Sequence, residues 1–198
     1  EELKVLLKET PEHAVIDYLC REGAAPFGAI EEGGYHHYAT YLKRQIQVEA
    51  EEKVPEGKMA KLLYDMYQPD CAKYAVESDV PQIYELLLEN FDLQADHIPS
   101  EDDLLQIVKE KEVMIYKIGD KIECFFIYRR EGKKLYCAFS YNHASADILY
   151  SIERRVKEIE YEENGIKMHY AWFNAKNKKA LRRNAWKDTK IRDYIFVK

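Results

Sequence analysis

The residues best placed to do chemistry fall in one short stretch, Tyr141-Asn142-His143-Ala144-Ser145. Before it, Leu135–Ser140 reads as an apolar strand that ends in a hydroxyl at Ser140. After it, a helical apolar periodicity opens at Ala146. A strand feeding a helix N-terminus presents unpaired amides, and the helix dipole there favours negative charge. Ala144, Ser145 and Ala146 are small enough to let a ligand approach the backbone, and Asn142 and His143 can donate hydrogen bonds. Asp147 opposes this reading. A carboxylate in the first turn can satisfy the amides itself and repel a phosphate.

Other candidates are weaker. Lys176, Lys178, Lys179, Arg182 and Arg183 form a basic cluster that could meet a phosphate or RNA, and a solvated helical face explains it equally well. His36 and His37 are adjacent on a predicted strand, so they point to opposite faces and do not chelate together. Glu123 is a strand carboxylate whose neighbours Ile122 and Cys124 take the other face; Trp172 and Trp186 read as packing residues.

Bulk properties narrow the class. A chain of 198 residues can form one large or two small domains with a real core. A net charge of −6 argues against nonspecific nucleic-acid binding. Cys20, Cys71, Cys124 and Cys137 are far apart with no CxxC, unlike a disulfide framework or a zinc site. Reduced thiols in a cytoplasmic protein, with no metal, are the expectation. No apolar run reaches the length of a membrane span, so no membrane partner is expected.

The elements follow from periodicity and breakers. Residues 1–9 read as a short helix, Ala14–Cys20 as a strand, Gly23–Ile30 as a turn or short helix, and Tyr35–Val48 as a long strand after Gly33-Gly34. Glu49–Gly57 is the linker candidate. Lys58–Tyr67 reads as a helix with Met59, Leu62, Leu63 and Met66 on one face, and Cys71–Glu77 as a strand. Ser78 or Asp79 caps the next helix, with Pro81 in its first turn, and Ser100 caps another. Val113–Ile118, Ile122–Arg130 and Lys134–Ser140 form a meander turned at Gly119-Asp120 and Glu131-Gly132. Then come a helix from Ala146 to Tyr161 stopped at Asn164-Gly165, a strand over Ile166–Phe173, a basic helix over Lys176–Asn184 and a strand over Arg192–Val197. From residue 71 the order is β-α-α-β-β-β-α-β-α-β, a mixed sheet with helices on both faces.

That order, carried by YAVESDVPQIYELL, by the meander EVMIYKIGDKIECFFIYRREGKKLYCAFS and by YAWFNAKNKKALRRN, resembles the GNAT acyltransferase fold, a mixed and mostly antiparallel α+β sheet. The resemblance covers residues 71–198 and implies acyl-CoA as cosubstrate and a small-molecule or peptide amine as acceptor. It places Ser140–Ser145 where the family grips the CoA pyrophosphate. It places Asn177, matched with Ala180 to the family's Asn-x-x-Ala, together with Lys178 and Lys179 beside the cofactor groove. Glu123 becomes a candidate base, and Tyr194 a candidate acid toward the departing thiolate. Two departures stand out. The Arg/Gln-x-x-Gly-x-Gly/Ala loop is absent, and the position seven residues after Asn177, where the family often carries Tyr, is Asn184. Residues 1–57 resemble the closing half of the same fold, with Gly34-Tyr35 for the family's Gly-Phe. A tandem GNAT with an incomplete first copy is therefore expected, with 58–198 as the second; an unrelated extension is the alternative. Two functions follow: amine acylation, or an inactive GNAT-fold module that binds a small molecule or a protein.

Overall fold

The computed structural model describes residues 7–24, 27–50, 53–182 and 186–198, without the side chain of Lys179. In chain order the elements are β1 (Val15–Arg21), α1 (Phe27–Glu32), β2 (His36–Gln47), α2 (Lys58–Asp65), β3 (Lys73–Tyr74), α3 (Val80–Asn90), α4 (Glu101–Lys109), β4 (Val113–Ile118), β5 (Lys121–Glu131), β6 (Lys134–Asn142), α5 (Ala146–Asn164), β7 (Met168–Asn174), α6 (Lys178–Leu181) and β8 (Lys187–Val197). They make a mixed, mostly antiparallel α+β fold, and the element order expected from residue 71 is present. The chain divides into two compact units that interleave in sequence. One takes 1–46, 93–97 and 171–198; the other takes 47–92 and 98–170.

In the first unit β8 pairs antiparallel with both β1 and β2, so the strand order is β1-β8-β2. One face packs Leu7, Ile30, Tyr35 and Phe196; the other packs Ala39, Tyr41, Ala95 and Ile195. Gly34 ends α1 at φ +92°, where a Cβ would be strained, and a Cβ on Gly33 would meet Leu7 Cβ at 2.7 Å. The segment 93–97 is tied to the strands by side chains. The Tyr41 hydroxyl donates to Asp96 Oδ1 at 2.5 Å, and His97 Nε2 lies 2.7 Å from Asp17 Oδ2.

In the second unit β3, β4, β5 and β6 are consecutive antiparallel neighbours. Gly119 and Gly132 sit in the two hairpin turns, each at φ +61°, as tight hairpins require. Alternation along β5 splits the core. Phe125 and Ile127 pack with Ile83, Leu87, Leu104 and Val108 of α3 and α4. Cys124, Phe126 and Tyr128 pack with Ile148, Ile152 and Val156 of α5. Gly165 ends α5 in the left-handed region, as the Asn164-Gly165 pair suggested.

Several sequence expectations need correction. Only Lys73 and Tyr74 of Cys71–Glu77 form a strand, because only they pair with β4. Met59, Leu62 and Met66 are exposed rather than core; α2 instead turns Tyr64 and Tyr67 onto Arg154, whose guanidinium carbon lies 4.6 Å and 4.0 Å from the two ring centroids. Asp79 does not cap α3 with its side chain; its carboxylate accepts from the Val76 amide and pairs with Lys117. Ser100 does cap α4, accepting from the Asp103 amide at 3.1 Å. The helix expected over Lys176–Asn184 is described only at Lys178–Leu181, and Arg183 and Asn184 lie outside the described residues. The last strand begins five residues earlier than expected, at Lys187. The residue 1–9 helix is described only from residue 7.

Candidate functional site

The strand leading to the site runs further than its sequence suggests. Tyr141 and Asn142 pair with Phe125 and Cys124, so both belong to β6, and the Tyr141 ring stacks on Phe125 at 5.4 Å. The loop shrinks to His143-Ala144-Ser145. Its geometry is set by one residue of β5. The amides of His143 and Ala144 both donate to the Glu123 carbonyl, at 2.8 Å and 3.2 Å. The Glu123 carboxylate lies 2.7 Å from His143 Nδ1 and 2.8 Å from Lys121 Nζ. These two partners, Lys121 first, hold the Glu123 carboxyl below its usual range, and Glu123 in turn raises the Lys121 ammonium.

The result is a layered polar corner. Glu123 is nearly buried, whereas the His143 side chain is 67% exposed and keeps Nε2 for solvent or a ligand. Behind it, α5 starts with Ser145 as its N-cap residue, but the Ser145 side chain makes no capping bond. The amides of Ser145, Ala146 and Asp147 have no protein acceptor among the described residues, whereas Ile148 donates to the Ser145 carbonyl. Asn142 Nδ2 donates to the Ser145 carbonyl at 3.2 Å and so braces the loop. Asp147 is buried and receives a long hydrogen bond from Gln68 Nε2, 3.4 Å. Ser140 lies opposite Phe126 in the interior of the ladder, and Ala144 packs against the α5 core.

The remaining candidates sit in the first unit. The Asn177 side-chain oxygen accepts from the Ala180 amide at 3.0 Å, capping α6, and Lys178 is exposed beside it. The Tyr194 ring meets Phe27 edge to face at 5.0 Å, and burial pushes its phenol above the usual tyrosine range. Trp186 packs edge to face on Phe173. Among the described residues no group of three or more His, Cys, Asp or Glu could hold a metal, and no helix is long and apolar enough to cross a membrane. The four cysteines form no disulfide with one another.

Lys121 escaped the sequence reading, although it stands two residues from Glu123 on a strand and so shares its face. The Glu123–His143 contact was harder to see. Counting outward from the β5–β6 hairpin places Glu123 opposite Asn142; a register shift between Ile127 and Tyr128 moves the pairing on by one residue.

Solved structures similar to the chain include a GCN5-related N-acetyltransferase from Sphaerobacter thermophilus, with a TM-score of 0.64 at 15% identity over 94% of this chain and 60% of that one. A GNAT-family protein from Novosphingobium aromaticivorans gives a TM-score of 0.60 at 12% identity, covering 99% of this chain and 80% of that one. A tandem GNAT protein from the clavulanic acid biosynthesis pathway gives 0.57 at 7% identity, covering 99% and 66%. At these identities the likeness establishes the GNAT-type fold alone, and the chain spans 60% of the length of the first of these structures. No protein-family model matches the chain. No curated protein matches it.

Proposed function

We propose that the chain is a GNAT-fold acyltransferase domain that moves an acyl group from acyl-CoA to an amine. The observation that carries this reading is the open N-terminus of α5. Three consecutive amides, at Ser145, Ala146 and Asp147, stand beside the exposed His143 imidazole, where a pyrophosphate could accept from all of them. Lys121 adds a positive charge on the same corner. In this reading Glu123 serves by holding His143 and Lys121. A carboxylate held below its usual range is a poor proton acceptor, and the long pantetheine arm separates phosphates from thioester. Tyr194, Asn177, Lys178 and Lys179 remain proposals for thiolate protonation and for the CoA 3′-phosphate.

A second reading, a GNAT-fold module that binds without turnover, draws on a specific feature. The His143 and Ala144 amides are already committed to the Glu123 carbonyl, and the Asp147 carboxylate occupies the first helical turn. Calorimetric titration with CoA and acetyl-CoA decides between them. Acyltransfer predicts binding, and Ala146→Pro should weaken it at least tenfold, because proline at the first helical position removes one donor and leaves the helix intact. Acetyl-CoA consumption with a panel of amines then reports turnover. No binding of CoA at millimolar concentration ends the acyltransferase reading.

A further inference from the structure

We infer that Glu123 holds His143 in a tautomer that grips a phosphate only after Nε2 has taken up a proton, so that acyl-CoA binds at this corner together with that proton. The inference rests on the acyltransferase reading and adds a proton-linked step to it. The two oxygens of the Glu123 carboxylate have separate partners. Lys121 Nζ lies 2.8 Å from Oε1, and His143 Nδ1 lies 2.7 Å from Oε2. A carboxylate paired with an ammonium is ionised and can only accept. Nδ1 therefore carries a hydrogen whether the imidazole is neutral or charged, and the tautomer follows from this network. The backbone fixes the same contact, because the His143 amide donates to the Glu123 carbonyl at 2.8 Å.

With Nδ1–H committed, Nε2 of the neutral ring is a bare lone pair. A pyrophosphate diester is ionised and has no hydrogen to offer it, so the neutral ring repels the ligand. The imidazolium presents Nε2–H instead, a charge-assisted donor. Imidazole is the side chain that exchanges such a proton between pH 5 and 8. Around the ring, β5 presents Lys121 and Glu123, β6 presents Tyr141 and α5 presents Asp147. Lys121 and Glu123 offset each other in charge. The Tyr141 ring is stacked on Phe125, and the Asp147 carboxylate is buried against the Gln68 amide. The proton on His143 therefore decides whether this corner attracts or repels a phosphate. Glu123 is a positioning residue here, because it acts through the hydrogen bond to His143.

Glu123→Gln separates control of the tautomer from simple bracing. Lys121 holds the oxygen of the new amide, whose NH2 then donates to Nδ1, and the neutral ring carries its hydrogen on Nε2. Calorimetric titration with CoA at pH 6 and pH 8, in buffers of different ionisation enthalpy, reads affinity and proton uptake together. His143→Gln has no proton to exchange and controls for the CoA 3′-phosphate. Relative to it, the affinity of the unsubstituted protein should fall about tenfold from pH 6 to pH 8, with roughly half a proton or more of extra uptake. Glu123→Gln should bind CoA more tightly than the unsubstituted protein at pH 8. Nitrogen NMR at pH 8, with the ring assigned by its loss in His143→Gln, should give Nδ1–H in the free unsubstituted protein and Nε2–H in Glu123→Gln. CoA that binds at neither pH overturns this inference together with the acyltransferase reading. Binding with no more proton uptake than His143→Gln, an Nε2–H tautomer in the free unsubstituted protein, or a Glu123→Gln variant that only weakens binding equally at both pH values overturns this inference alone.

Discussion

Asp193 is the residue whose environment most contradicts its chemistry. Burial, with Asp17 beside it, pushes its carboxyl up to about 6, and His97 offsets this only in part. A raised carboxyl binds its proton more tightly folded than unfolded. Stability therefore falls as pH rises from about 4 to about 6 and stays lower above that. Asp193→Asn should raise stability at pH 7 by roughly 1–3 kcal/mol, and the gain should vanish below pH 4. Urea unfolding at both pH values checks the sign. No pattern in the sequence marked Asp193, because its neighbours come from β1 and the 93–97 segment, far away along the chain. Glu123 shows the opposite case. It was legible as a strand carboxylate, and its tie to His143 depended on a one-residue register shift that side-chain patterning does not encode.

At the scale of elements, hairpin turns and helix ends were legible wherever a glycine must adopt a positive φ. Gly119, Gly132 and Gly165 all do. Gly165 also has a close neighbour: a Cβ there would approach Lys133 Nζ at 3.0 Å, and that ammonium donates to the Asn164 carbonyl at 2.9 Å. Gly165→Ala should cost about 1–2 kcal/mol, read as a lowered melting temperature. The failures share a cause. Periodicity finds an apolar stripe but not what will cover it. On α2 the stripe of Met59, Leu62 and Met66 stays in solvent because Tyr64 and Tyr67 hold the helix through the Arg154 guanidinium instead. Cys71–Glu77 has strand composition, yet β4 offers a partner to only two of its residues.

For the whole molecule, the order of elements was legible from residue 71 onward and the grouping of the chain was not. Units that take 1–46, 93–97 and 171–198 on one side and 47–92 with 98–170 on the other follow from strand pairing, which no single cut in a sequence reproduces. Deleting residues 187–198 tests the pairing directly. Amide protection should be lost in β1 and in those β2 amides that point to β8, and kept in β4–β6, as hydrogen exchange would show. The position of β8 between β1 and β2 also matters during synthesis. At about 5–20 residues per second, β1 leaves the ribosome on the order of ten seconds or more before its partner strand exists. Through that interval β1 and β2 wait without the strand that pairs with both, so the yield of native protein in cells should depend on holding chaperones more than the finished fold would suggest.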